Sequence, residues 1–98
     1  MKLYLDDIRN PKTTGWDIVR SYEEFVDYIN THGLPEIMSL DHDLGLFKSG
    51  YDCVKWLVYE KQLDLREVDI NVHSANPVGR IDIEMLVNNW NNWLDDNE

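Results

Sequence analysis

A chain of 98 residues has room for one compact domain, here 1–98, and its 43% hydrophobic content with four Trp and five Tyr supports a packed core, which excludes a disordered segment. No apolar run approaches membrane-span length, and Met1 leads directly into a strand-like segment, so neither a membrane partner nor a signal peptide is expected. Nine basic against nineteen acidic residues gives a formal charge of −10, which excludes extended nucleic acid held by charge. A small phosphate ligand or one RNA end stays compatible if a divalent cation shields the acids.

Lys2-Leu3-Tyr4-Leu5 is predicted as the first strand, and Asp6-Asp7 marks a loop because two adjacent acids cannot both enter a core. Asn10-Pro11 is a turn signal. The segment Trp16 to Val19 is predicted as the second strand. Only ten residues, Asp6 to Gly15, separate the two, which is short for a helical crossover; an extended loop is expected there. Ser21 and Glu24 form a capping box for a helix whose inward face carries Tyr22, Phe25, Val26 and Ile29. Gly33 and Pro35 stop it.

Ile37-Met38-Ser39-Leu40 has the continuous apolar character of a central parallel strand and runs straight into Asp41-His42-Asp43-Leu44-Gly45. Ligands of open α/β sheets bind beyond the carboxyl ends of the strands, where this strand delivers its acids and imidazole. A loop over Leu46-Phe47-Lys48-Ser49-Gly50 follows. Ser49 and Asp52 cap a second helix with Val54, Leu57, Val58 and Lys61 inward, and Cys53 is expected as a small core residue. As the single cysteine it excludes an internal disulfide and suits a reducing cytoplasm. Leu63 to Asp69 is a connection, Ile70-Asn71-Val72 the last strand, and a helix from about Ile81 to Leu94 closes the chain. Strand–helix alternation implies right-handed crossovers and a parallel sheet.

Three loops therefore meet at one sheet end: Asp6-Asp7, Asp41-His42-Asp43 and His73-Ser74-Ala75-Asn76. Two like charges about 4 Å apart repel by roughly 4 kcal/mol at an effective dielectric near 20, so several acids together call for a cation such as Mg²⁺ or a shared proton. Asp7 and Asp41 are the first-choice ligands, Asp6 and Asp43 the next. His42 and His73, after neighbouring strands, are candidates to exchange protons around one phosphorus centre. The alternative is that each imidazole only fixes its turn. Ser74, Asn76, Arg80 and Arg9 are candidates to hold phosphate oxygens. The tryptophans, Trp16, Trp56, Trp90 and Trp93, are expected to pack and receive no ligand role.

Leu3-Tyr4-Leu5-Asp6-Asp7, Ser39-Leu40-Asp41 and Val72-His73-Ser74-Ala75 resemble the acid and hydroxyl stations of response-regulator receiver domains. The additions Asp41-His42-Asp43-Leu44-Gly45 and His73-Ser74-Ala75-Asn76-Pro77-Val78-Gly79-Arg80 are closer to a divergent family, the cyclic-phosphate processing receiver domains. The resemblance implies a receiver-like (flavodoxin-like) α/β fold: a three-layer sandwich around a mostly parallel sheet of about four strands, without the first helix and fifth strand of receivers. It also implies metal-assisted handling of cyclic phosphates on nucleotides or RNA ends; joined to the residues above, the first expectation is a Mg²⁺- or Mn²⁺-dependent phosphoesterase with Asp41, His42 and His73 in catalysis. Two other expectations compete: a phospho-acceptor domain using Asp41, disfavoured by the missing lysine station, and a non-catalytic interaction module.

Overall fold

In a computed structural model describing residues 1–45 and 48–98, the chain forms one α/β unit. Leu46 and Phe47 of the expected loop lie outside the described residues. Strands β1 (Lys2–Leu5), β2 (Asp17–Val19), β3 (Ile37–Leu40) and β4 (Asp69–Val72) lie in the order β2-β1-β3-β4, and every pairing is parallel. The helices are α1 (Tyr22–His32), α2 (Gly50–Lys55), which continues through a π-helical turn at Trp56–Glu60, and α3 (Pro77–Asp96). The expected four-stranded receiver-like sheet is present, and the connection from Asp6 to Trp16 is a loop.

The layering is simpler than the three-layer expectation. β2 to β3 and β3 to β4 both step the same way across the sheet, so right-handed crossovers put their helices on one face. There α1 packs on α2 and α2 on α3. Alternate strand residues Leu3, Leu5, Val19, Met38 and Leu40 join Phe25, Ile29, Val54, Leu57 and Ile83 in a single core. Among the described residues the opposite face has no helix, because the connection that would supply one is the short 6–16 loop. Instead Trp16 packs edge-on against Tyr4, with the Lys2 ammonium over the indole.

Local chemistry explains the boundaries. Ser21 Oγ accepts from the Glu24 amide, while Glu24 reaches back to the Arg20 amide, one residue earlier than a standard box. Gly33 closes α1 at φ +79°, a region costly for other residues. Ser49 and Asp52 form the complete reciprocal box. Cys53 is fully buried, and burial pushes its thiol pKa up, as suits a core residue.

Two expectations are corrected. Lys61 is exposed rather than inward: the π turn widens the helix by a residue, and the ammonium lies over the Trp56 ring. The last helix begins at Pro77, not near Ile81. Asn76-Pro77 looks like a turn but is a cap followed by an N1 proline, with Asn76 Oδ1 accepting from the Gly79 amide at 3.1 Å.

One close approach fixes the end of β3. A Cβ on Gly50 would stand 2.0 Å from the Asp41 carbonyl oxygen, and the Gly50 amide donates to the His42 carbonyl at 2.7 Å. Backbone cannot yield as a side chain does, so Gly50→Ala should cost about 1–3 kcal/mol. A lowered urea midpoint with an unchanged m-value is the expected result, and an unchanged midpoint would refute this contact.

Candidate functional site

Asp6 leaves β1 into the core side of its loop and is 1% exposed. A carboxylate so placed must be satisfied internally, and it is. Oδ1 accepts from the amides of Ile8 and Arg9 at 2.9 and 2.7 Å, which turns the loop back on itself. Oδ2 meets His73 Nε2 at 3.0 Å. Burial by itself raises the Asp6 pKa, but the Ile8 and Arg9 amides and then His73 outweigh it and hold the carboxyl below its ordinary value.

His73 follows β4 and reaches across the sheet. Its Nδ1 lies 2.7 Å from Ser39 Oγ on β3, and its ring stacks on Tyr4 of β1 at 4.5 Å with only 5° between planes. One imidazole thus ties three strand ends together. Asp41 completes the group: single donor atoms of Asp6, Asp41 and His73 all lie within 4.8 Å of one another. Desolvation raises the Asp41 pKa. The Asp43 amide opposes this, and the Asp6 charge adds to it.

Beside this trio opens a hollow of about 410 Å³ lined by Asp6, Asp7, Ile8, Arg9, Asp41, Asp43, Gly45 and Ala75. Four carboxylates therefore face one space, as the converging loops suggested. Asp7 and Asp43 border it without joining the close trio, and Asp6 rather than Asp7 stands beside Asp41. Arg9 is the cation on its rim. Ser74 is buried, faces Asp41 and accepts the Asn76 amide at 3.1 Å.

Several expected residues stand elsewhere. The His42 ring lies against α3, where a Cβ on Gly79 would be 2.3 Å from its Cγ, and its Nδ1 meets Asp43 Oδ1 at 3.0 Å. The two imidazoles are not brought together around one centre. Asn76 uses its side-chain oxygen as the α3 cap, and the exposed Arg80 is not among the residues lining the hollow.

The structure adds three residues that sequence reasoning missed. Tyr4 and Ser39 position His73, and Arg20 donates to the carbonyls of Asp6 and Arg9 and to Asn10 Oδ1, clamping the loop. A lone serine in an apolar strand, two residues before an aspartate, was the available signal for Ser39. Nothing local marks Arg20.

Asp6 and Asp41 should respond oppositely to neutralisation. Asp6 has a lowered folded pKa, so its contribution is present above about pH 4 and is lost as pH falls through the folded value. Asp41 has a raised folded pKa, so its charge opposes folding at neutral pH and stability returns as pH falls through that value. In EDTA at pH 7, Asp41→Asn should raise Tm by a few degrees and abolish the gain on mild acidification, whereas Asp6→Asn should lower Tm. Thermal melts from pH 7 to 3 check this; a drop in Tm for both variants would contradict it.

No curated protein and no solved structure matches the chain in comparison searches. The family described as the Cyclic-phosphate processing Receiver domain matches residues 1–89. With its parallel sheet and with Asp6, Asp41 and His73 gathered at the strand ends, this chain belongs to the cyclic-phosphate processing receiver domain family.

Proposed function

We propose that the hollow is the active site of a metal-dependent phosphoesterase that opens a cyclic phosphate on a nucleotide or an RNA end. The observation that carries this reading is the convergence of Asp6, Asp41 and His73 within 4.8 Å beside a hollow that two further acids also line. The donor set fits a divalent cation. It offers the hard carboxylate oxygens of Asp6 and Asp41, which repel one another, beside an imidazole that Ser39 orients through Nδ1 and that stays off the ion. Carboxylate oxygens suit Mg²⁺ and Mn²⁺ alike. When bound, such an ion supplies Lewis-acid polarisation of a phosphoryl oxygen and offsets the carboxylate charge.

The chain's own residues supply the rest. Arg9 on the rim draws the anionic phosphate toward an otherwise repelling surface. Ser74 and the loop around Ala75 border the bound group. A water oxygen bonds to phosphorus while one ring P–O bond breaks. His73 takes the water's proton and returns it to the departing alkoxide oxygen, so one imidazole serves both transfers in turn. Asp6 holds that ring in a single orientation. His42, packed on α3, positions Asp43 instead of exchanging protons. The product is an acyclic phosphate monoester.

Incubation with 2′,3′-cyclic nucleotides and Mn²⁺ or Mg²⁺, followed by ³¹P NMR, tests the reading. Turnover should be lost in EDTA and fall about 10²–10⁴-fold in a folded His73→Gln variant. Mn²⁺ should also raise the wild-type Tm, and Asp41→Ala should remove that rise. Wild-type turnover no greater than that of His73→Gln across the nucleotide panel would sink the proposal.

A further inference from the structure

Helix α3 is apolar on two sides. Its inward side buries Gly79, Ile83 and Leu86 in the core. Its outward side carries Val78 (66% exposed), Ile81 (53%), Met85 (56%) and Trp93 (55%), and Tyr59 (62%) stands on the turn that follows α2. Four of the eight large hydrophobic side chains exposed among the described residues lie on α3, which makes up about a fifth of the chain, and Tyr59 is a fifth beside it. Positions 78, 81, 85, 89 and 93 follow helical spacing, so they form one stripe about 22 Å long. A shallow apolar recess joins Tyr59 to it through Val58, Leu86, Asn89, Trp90 and Trp93.

Charge is missing where it would otherwise be expected. Met85 to Leu94 contains no charged residue, ten in succession, in a chain that is 29% charged and carries −10. The solvent positions of this stretch are filled by Asn88, Asn89 and Asn92. A surface meant for a basic partner would carry this protein's abundant acids, because opposite charge steers such encounters. A surface meant for an equally acidic partner must exclude them.

We propose that this stripe is a self-association surface whose occupant is a second copy of the chain, bound isologously with the two α3 helices antiparallel. A two-fold axis near Met85 places Val78 of each copy opposite Trp93 of the other and brings the two Met85 side chains together, so that the whole stripe is covered. Five half-exposed side chains of this size present on the order of 600 Å² per copy, or about 1,200 Å² in total, the lower edge of specific interfaces. The dimer is therefore weak, forming at tens of micromolar. Each copy carries −10, so like charges repel across the interface and salt should strengthen association.

Sedimentation equilibrium of the full chain between 1 and 300 μM, at low and high NaCl, tests this. The expected result is a reversible dimer that tightens with salt and weakens at least tenfold in Met85→Glu/Trp93→Glu. Asn89→Glu is the second variant. It removes no packing, improves helix propensity and places an acid opposite Asp82 of the other copy, so it should weaken the dimer with an unchanged thermal melt. A monomer throughout the range, a dimer indifferent to both variants, or association that salt weakens would overturn the proposal.

Discussion

The Asp6 carboxylate is the constraint on which the rest of the site depends. At 1% exposure it cannot be solvated, so each oxygen must find a protein donor. One oxygen takes two amides of its own loop and the other takes His73, 67 residues away in sequence. A single charge thus sets the path of the β1–β2 loop, the end of β4 and the orientation of the imidazole. His73 passes the restraint to Ser39 and so to β3, whose next acid is Asp41. Asp41 is then held close to a charge it opposes.

Backbone proximity completes this frame. Two glycines that brace the β3 loop, Gly50 and Gly79, are needed for closeness and not for unusual dihedrals, since neither has positive φ. Gly50 lets α2 start against the Asp41 carbonyl, and Gly79 lets the His42 ring lie on α3. Together they lock the β3 loop between two helices. The acids at the strand ends are therefore presented from a braced loop, which suits a site that must hold like charges together.

Much of this was legible in the sequence because it is written in local patterns. Acidic residues directly after apolar strands announced the sheet end, and the capping boxes at Ser21 and Ser49 announced two helices. The short Asp6–Gly15 segment announced a loop instead of a helix. What stayed hidden depends on tertiary pairing. Asp6 and Asp7 are adjacent and chemically alike, and only the direction of the chain leaving β1 decides which one turns inward. His42 and His73 look equivalent as residues after neighbouring strands, but a glycine in α3 draws one ring away, and that glycine is 37 positions downstream of His42. Asn76-Pro77 misled because a turn and a helix start use the same two residues, and the continuation of the chain separates them.

The missing helix of the first crossover ties the fold to its chemistry. Receiver-like sheets are expected to carry helices on both faces, and here the 6–16 loop replaces one of them. A helix in that place would have covered Tyr4 and the ring of His73 with apolar surface. The loop instead brings polar backbone to Asp6 and Arg9 to the rim of the hollow, and Arg20 pins it by two carbonyls and Asn10. The bare face would be a liability if it were apolar, yet its strand positions include Lys2, Ser39, Asn71 and, just beyond β4, His73, with Tyr4 sheltered under Trp16. The helix-free face is thus polar at most of its strand positions, with the exposed Ile18 as the apolar exception. The apolar surface that does remain exposed is concentrated on α3, on the helix-bearing side of the sheet, where contact with another molecule would leave the acidic hollow free.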